Sequence, residues 1–252
     1  MVQNGKKRGA MAMGECEIIK VVPTVERKTV SVKSYSEEGD FWLHPEMAEE
    51  EEFDLKVHEL VDWLARQELP NVGNFYADSK MRQLNLIKYF KALFWIKPDL
   101  MFIGEAPGIH GCVKTGIPFT SERLIQDGQL DRYFLGTRFD AEGNKAEGSA
   151  TVIWQAIGRL SKPPVMWNAF PLHLRKKDGK NRTPTTSELK WGAFALGRVL
   201  ELFPGVEIIS IGKKAESACE KVGAITSGHL IHPAYHTNEF REQFDSHFFK
   251  RA

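Results

Sequence analysis

Four short stretches of this 252-residue chain hold side chains able to bind and polarise a small organic group. The first is Gly104-Glu105-Ala106-Pro107-Gly108, with Thr115-Gly116-Ile117-Pro118-Phe119-Thr120-Ser121-Glu122 close behind it. The second is Asn168-Ala169-Phe170-Pro171-Leu172-His173, followed by Asn181-Arg182-Thr183-Pro184. Gly212-Lys213-Lys214-Ala215 is the third and His232-Pro233-Ala234-Tyr235-His236 the fourth. Together they supply an acid, an amide, an aromatic ring and an imidazole. Singly, each has a plain structural explanation: Asn suits turns, Phe suits a core, and His is common in loops. Two other patterns lead nowhere. Gly108 to Thr115 looks like a phosphate loop, but Val113 precedes Lys114 where that turn needs glycine. His229, His232 and His236 suggest a metal, yet Pro233 breaks the helix an i, i+4 pair requires, and the nearest acid is Glu239. No metal is expected.

The case rests on the elements that carry these stretches. Leu100 to Ile103 reads as a short apolar strand ending at Gly104, Val165 to Phe170 as a second, Val206 to Ile211 as a third, and Leu230-Ile231 as the end of a fourth. Helical patterns fill the intervals, at about 149–161, 187–203 and 213–222. Strands alternating with helices imply a three-layer αβα sandwich around a four-stranded, mostly parallel sheet. Ligands of such sheets bind beyond the carboxyl ends of the strands, where all four stretches lie. Upstream, Phe53, Val57, Leu60, Val61 and Leu64 recur at helical spacing, and Ser79 caps a second helix with Leu84, Ile87, Phe90 and Leu93 inward, ending at Lys97-Pro98. Glu49 to Glu52 reads as a solvated helix start. The chain divides into an N-terminal extension, 1–75, and a catalytic domain, 76–252. The extension comprises a mobile tail to about residue 14, a hairpin from Glu17–Val22 and Lys28–Tyr35, and the first helix; a cap, a DNA clamp and a partner surface are equally open roles for it.

Lys+Arg is 34 against Asp+Glu 33, a net charge of +1, so the chain does not coat nucleic acid by bulk charge and any anion site is local. Three scattered cysteines, Cys16, Cys112 and Cys219, form neither a disulfide framework nor a cluster-binding motif. No apolar run suits a membrane span or signal core. A cytoplasmic, monomeric protein without membrane contact is expected.

On these motifs the sequence resembles the uracil-DNA glycosylase superfamily over roughly residues 80–250, and the bacterial branch with a Gly-Glu-Ala-Pro-Gly first motif in particular. The resemblance implies a DNA glycosylase that hydrolyses the N-glycosidic bond of a flipped-out damaged or modified pyrimidine, uracil first among them. It implies that Phe119 stacks on the base, that Asn168 reads its edge, that His232 donates to O2 as charge develops, and that Glu105 positions the water or the sugar. Gly104, Ala106, Pro107 and Gly108 would wall the base pocket.

Three departures matter. Ala106 replaces an Asp that assists the water in the best-known branch, leaving Glu105, or another acid such as Glu122. Gly108 replaces a Tyr that blocks C5 of the base; the space left empty would admit bulky 5-modified cytosine, as in defence against phage DNA. Leu172 stands near the place of a missing cluster cysteine, so no iron–sulfur cofactor is expected. With no lysine in a Schiff-base motif, the activity would be monofunctional. A catalytically inactive module that binds modified bases is the rival class. Phosphate contact is expected from Arg175, Lys176, Lys177, Lys180 and Arg182, with Lys213 and Lys214 at a helix start. Pro233, Ala234, Tyr235 and His236 match the loop that probes the minor groove in relatives. Tyr235 is either its wedge or a core residue.

Overall fold

The structure, a computed structural model, describes residues 45–175 and 181–250. The tail, the hairpin, Cys16 and the basic residues Lys176, Lys177 and Lys180 lie outside the described residues. Six strands follow in chain order: β1 Val72–Gly73, β2 Leu100–Gly104, β3 Val165–Asn168, β4 His173–Leu174, β5 Glu207–Ile211 and β6 Gly228–Leu230. The helices are α1 Pro45–Ala65, α2 Lys80–Ile96, α3 Cys112–Thr115, α4 Glu122–Gln126, α5 Gly148–Ile157, α6 Thr186–Leu202, α7 Lys213–Val222 and α8 Thr237–Phe248.

The main sheet has the order β3-β2-β5-β6, every pair parallel. From β2 the chain moves to β3 on one side and later to β5 on the other. The direction therefore reverses beside β2, and a crevice opens at such a switch point. Side-chain alternation divides the core between two faces. Phe102 of β2 packs on Phe244 and Phe248 of α8, while Trp167, level with Ile103, packs on Phe90 of α2. α1 contacts α2 and α6, α6 contacts α7, and α5 contacts α8. This is the αβα sandwich the pattern implies.

Helix starts follow local chemistry. Pro45 opens α1 with its fixed φ. The Ser79 hydroxyl accepts from the Arg82 N–H, and Thr185 and Glu188 form a capping box on α6. Phe53, Val57, Leu60, Val61 and Leu64 are all buried, so α1 belongs to the same apolar core as the sheet. Leu84 is a correction: it is exposed, and Leu86 is buried with Ile87, Phe90 and Leu93. The inward face is shifted because Asn85 turns in to serve the loop backbone. The β3 edge is closed by Tyr89, whose hydroxyl donates to Pro164 O at 3.3 Å and accepts from Met166 N at 2.8 Å. β1 and β4 form a separate antiparallel pair, Val72 opposite Leu174 and Gly73 opposite His173. It ties the segment after α1 to the base of the basic loop.

Candidate active site

The sheet register sets the site. Gly104 lies level with Asn168, Ile103 with Ser210, and Ile211 with Leu230, so the four carboxyl ends share one rim. A cavity of about 440 Å³ opens there, within the usual range for small-ligand pockets. Glu105, Phe119, Asn168 and His232 all line it, as do Gly104, Ala106, Pro107, Gly108 and Lys213. Acid, ring, amide and imidazole thus meet in one concavity.

Phe119 is held in a left-handed backbone, φ 53°, a conformation that costs a non-glycine residue about 1–2 kcal/mol. Its surroundings over-determine it. The Trp154 indole donates to Phe119 O at 3.1 Å and to the Thr120 hydroxyl at 3.2 Å. The Thr115 hydroxyl donates to Thr120 O at 2.8 Å. Behind the loop, Asn85 donates to Thr115 O at 2.9 Å and Tyr76 to Gly116 O at 2.8 Å. Gly116, at φ 80°, admits no side chain, since a Cβ would collide with Arg82 O. The result is a fixed aromatic plate rather than a mobile loop residue.

Asn168 ends β3 and is buried, and none of the described hydrogen bonds engages its amide. The amide lines the cavity, its donor and acceptor unspent among the described residues. Gly104 makes this possible, because a Cβ there would lie 2.6 Å from Phe119 Cζ and 2.7 Å from Asn168 Oδ1. The backbone beyond is pinned by Ala169 N–H to Gly104 O, 2.8 Å, and Phe170 N–H to Glu105 O, 3.1 Å.

His232 packs over Gly212, where φ is 90° and a Cβ would stand 2.8 Å from His232 Cβ. Its Nδ1 accepts the Ala234 backbone N–H at 3.1 Å. A nitrogen that accepts cannot carry the proton, so a neutral ring must hold it on Nε2. The ring reaches solvent at the cavity mouth, yet the protein atoms around it disfavour the imidazolium and lower its pKa from the ordinary 6.5. His232 is thus a neutral donor.

Glu105 is half-buried, and its Oε1 is sealed without a hydrogen-bond partner. Burial raises its pKa above 4.5, opposed by Lys214, 4.0 Å away, and by Thr183. Lys214 also donates to the Thr183 hydroxyl at 3.1 Å. Ala106 presents only a methyl to the cavity. Glu122 does not replace it: buried, it accepts from Gly143 N at 2.8 Å and Lys145 N at 3.1 Å, bracing a loop away from the cavity.

One acid of the cavity escaped the motif reading. Glu147, just before α5, lines the wall. The space beside Gly108 is therefore not empty, which corrects the sequence expectation: a Cβ on Gly108 or on Gly111 would collide with the Glu147 carboxyl. Cys112, Ser149 and Asn181 also reach the cavity. Burial pushes the Cys112 thiol far up, leaving it uncharged.

The expected DNA contacts divide. Arg175 and Lys213 are exposed, and Arg175 bridges to Asn181, bringing the two ends of the basic loop together. Arg182 is spent: its guanidinium grips both oxygens of Glu188, at 2.7 and 2.5 Å. Pro233 is buried, its carbonyl accepting from the His236 N–H and the Thr237 hydroxyl, so it is a turn brace, with no face for DNA. Ala234 is half-buried and His236 exposed. Tyr235 is no core residue; it is wholly exposed, at φ 66°.

The sequence model of the uracil DNA glycosylase superfamily matches residues 93–252, well over half of the chain. Among solved structures, the crystal structure of wild-type Pedobacter heparinus SMUG2 superposes with a TM-score of 0.56 at 17% identity, covering 78% of this chain and 96% of that one. No curated protein matches the sequence. No helix of the described residues is long and apolar enough to cross a membrane.

Proposed function

The chain belongs to the uracil DNA glycosylase superfamily, and from that premise we propose that it is a monofunctional glycosylase that flips a pyrimidine, uracil in the first instance, out of DNA and hydrolyses its bond to the sugar. The observation that carries this reading is the convergence of Phe119, Asn168, His232 and Glu105 on one cavity. The chemistry asks for these groups. As the bond from C1′ to the base breaks, its electron pair leaves with the base and the sugar becomes cationic. Water then adds to C1′ and loses a proton. Phe119, fixed by its loop, stacks on the base. Asn168 pairs with N3–H and O4, because an amide accepts from one and donates to the other. His232 donates Nε2–H to O2, where the departing charge collects; one preorganised donor of this kind contributes about 10²–10³ in rate. Glu105, when ionised, holds the water or faces the cationic sugar, a role Ala106 cannot share.

The test uses oligonucleotides with a single uracil, scored for alkali-labile abasic sites. The wild type should generate them, and Asn168→Ala should reduce the rate at least 100-fold while the thermal midpoint holds. A loss within tenfold, about 1.4 kcal/mol, removes Asn168 from base recognition. A wild type that retards DNA on a gel yet leaves it intact is a binding module instead.

A further inference from the structure

Asn168, His232 and Glu105 account for what plain uracil asks of the cavity: N3–H and O4 go to the amide, O2 to the imidazole, and the sugar side to the acid. Uracil has no further polar atom on its ring. Yet the cavity holds a second carboxyl, Glu147. None of the described hydrogen bonds involves that carboxyl, and its pKa is raised by burial, with no partner to offset it. Its place is built. Two glycines, Gly108 and Gly111, leave the room it fills, and a Cβ on either would expel it. The loop behind it is anchored by Glu122 to Gly143 and Lys145. The same two glycines turn the chain into α3, and the turn they make leaves the Glu147 carboxyl on the cavity wall with no protein partner among the described residues. In its ionised form the carboxyl only accepts hydrogen bonds, so the partner it is placed to meet is a donor.

We propose that Glu147 is a specificity-determining residue, accepting a hydrogen bond from a hydroxyl or amine that the extruded base carries beyond uracil's own polar edge. The inference rests on the glycosylase reading and deepens it. The preferred substrate class is then a pyrimidine with a small hydrogen-bond-donating substituent, in preference to one with an apolar group of similar size.

The test compares kcat/KM for 5-hydroxymethyluracil against thymine, and for 5-hydroxymethylcytosine against 5-methylcytosine, each as a single lesion in one oligonucleotide, with uracil as reference. The wild type should favour the hydroxyl-bearing member of at least one pair. Glu147→Ala should reduce that preference tenfold or more, and Glu147→Gln, which keeps an acceptor oxygen, should restore most of it. Should the alanine variant fail to fold, Glu147→Met keeps the length without the acceptor and carries the same expectation. A preference unchanged within threefold, or an equal fall for both members of each pair, overturns the inference and leaves the glycosylase reading intact. So does a wild type that excises uracil but no substituted base. Failure to excise any base, uracil included, sinks both.

Discussion

Glu105 shows how single side chains set the conditions of the chemistry. It must be ionised to hold a water or face a cationic sugar, and burial resists ionisation more than Lys214 and Thr183 assist it. The rate of excision should therefore rise with pH through a limb above the ordinary carboxyl value of 4.5. Glu105→Gln should flatten that limb and slow excision about 100-fold, which a pH–rate series would register. Glu147 yields a different prediction. Gly108→Ala places a Cβ against its carboxyl, whose flexible end can swing away. The fold should survive, but the carboxyl leaves the wall. Gly108→Ala and Glu147→Ala should then change base preference to a similar extent, and the double variant no more than either; additive effects would show that Gly108 acts separately. Sequence reading reached Glu105, Phe119, Asn168 and His232 because each ends or follows a strand. It did not reach Glu147, which is 39 positions from Gly108 and sits in a run of charged and small residues that resembles any solvated loop. The available signal was the pair Gly108 and Gly111, spaced to leave room for something.

Elements do their work by bracing. The plate that carries Phe119 is held by α5 through one indole, so Trp154→Phe should remove two hydrogen bonds while keeping an aromatic in the core. A cost of about 1–3 kcal/mol in stability is expected, with a larger proportional loss in excision than in DNA binding, since the stacking ring is displaced; denaturant unfolding beside kinetics would separate the two. Arg182 and Glu188 brace the start of α6, and the pair holds the Glu188 carboxyl down at about 2 against an ordinary 4.5. Because the folded-state value is the lower one, the pair's contribution is complete above pH 4.5 and is lost as pH falls toward 2. Arg182→Ala should cost about 1 kcal/mol of stability at pH 7 after solvent screening, seen as a lower thermal midpoint, and the gap to wild type should close across that acid window. The main strands and their helices were legible because apolar runs alternate with helical spacing. α8 was legible too, in Phe240, Phe244 and Phe248 at i, i+4, but those residues lay beyond the last motif. β1, two residues long, carries no period at all; only its partner Leu174 and His173 define it. Leu84 misled because spacing alone does not reveal that Asn85 has buried work, donating to Thr115 O and Asp140 O.

At the scale of the whole molecule, a net charge of +1 means that DNA is held by few groups near one mouth. Arg182 is committed to Glu188, so Arg175, Lys213 and Lys214 are the exposed cations that the described residues retain from the expected set, Lys214 leaning toward Thr183 and Glu105. Affinity for single strands should thus fall gently with salt, each neutralised phosphate adding about 0.7 to the slope of log affinity against log salt. Lys213→Ala should reduce that slope by about one contact, and Arg182→Ala should leave it in place while costing stability. Tyr235 is the remaining piece. It projects wholly into solvent from a left-handed backbone, beside His232, the donor of the site. Nothing in the fold gains from a bulky ring there, and φ 66° is a conformation that glycine adopts without strain. A side chain that burdens the folded state and touches nothing in it is explained by what it meets outside, and an aromatic ring at that height can enter the gap an extruded base leaves. Tyr235→Gly should therefore hold or raise the thermal midpoint, by no more than about 1 kcal/mol of relieved strain, and should slow excision from duplex DNA much more than from single strands, where no gap has to be filled. An equal loss on both substrates would assign Tyr235 to general DNA affinity, and a lowered midpoint would mean that the ring supports the fold after all.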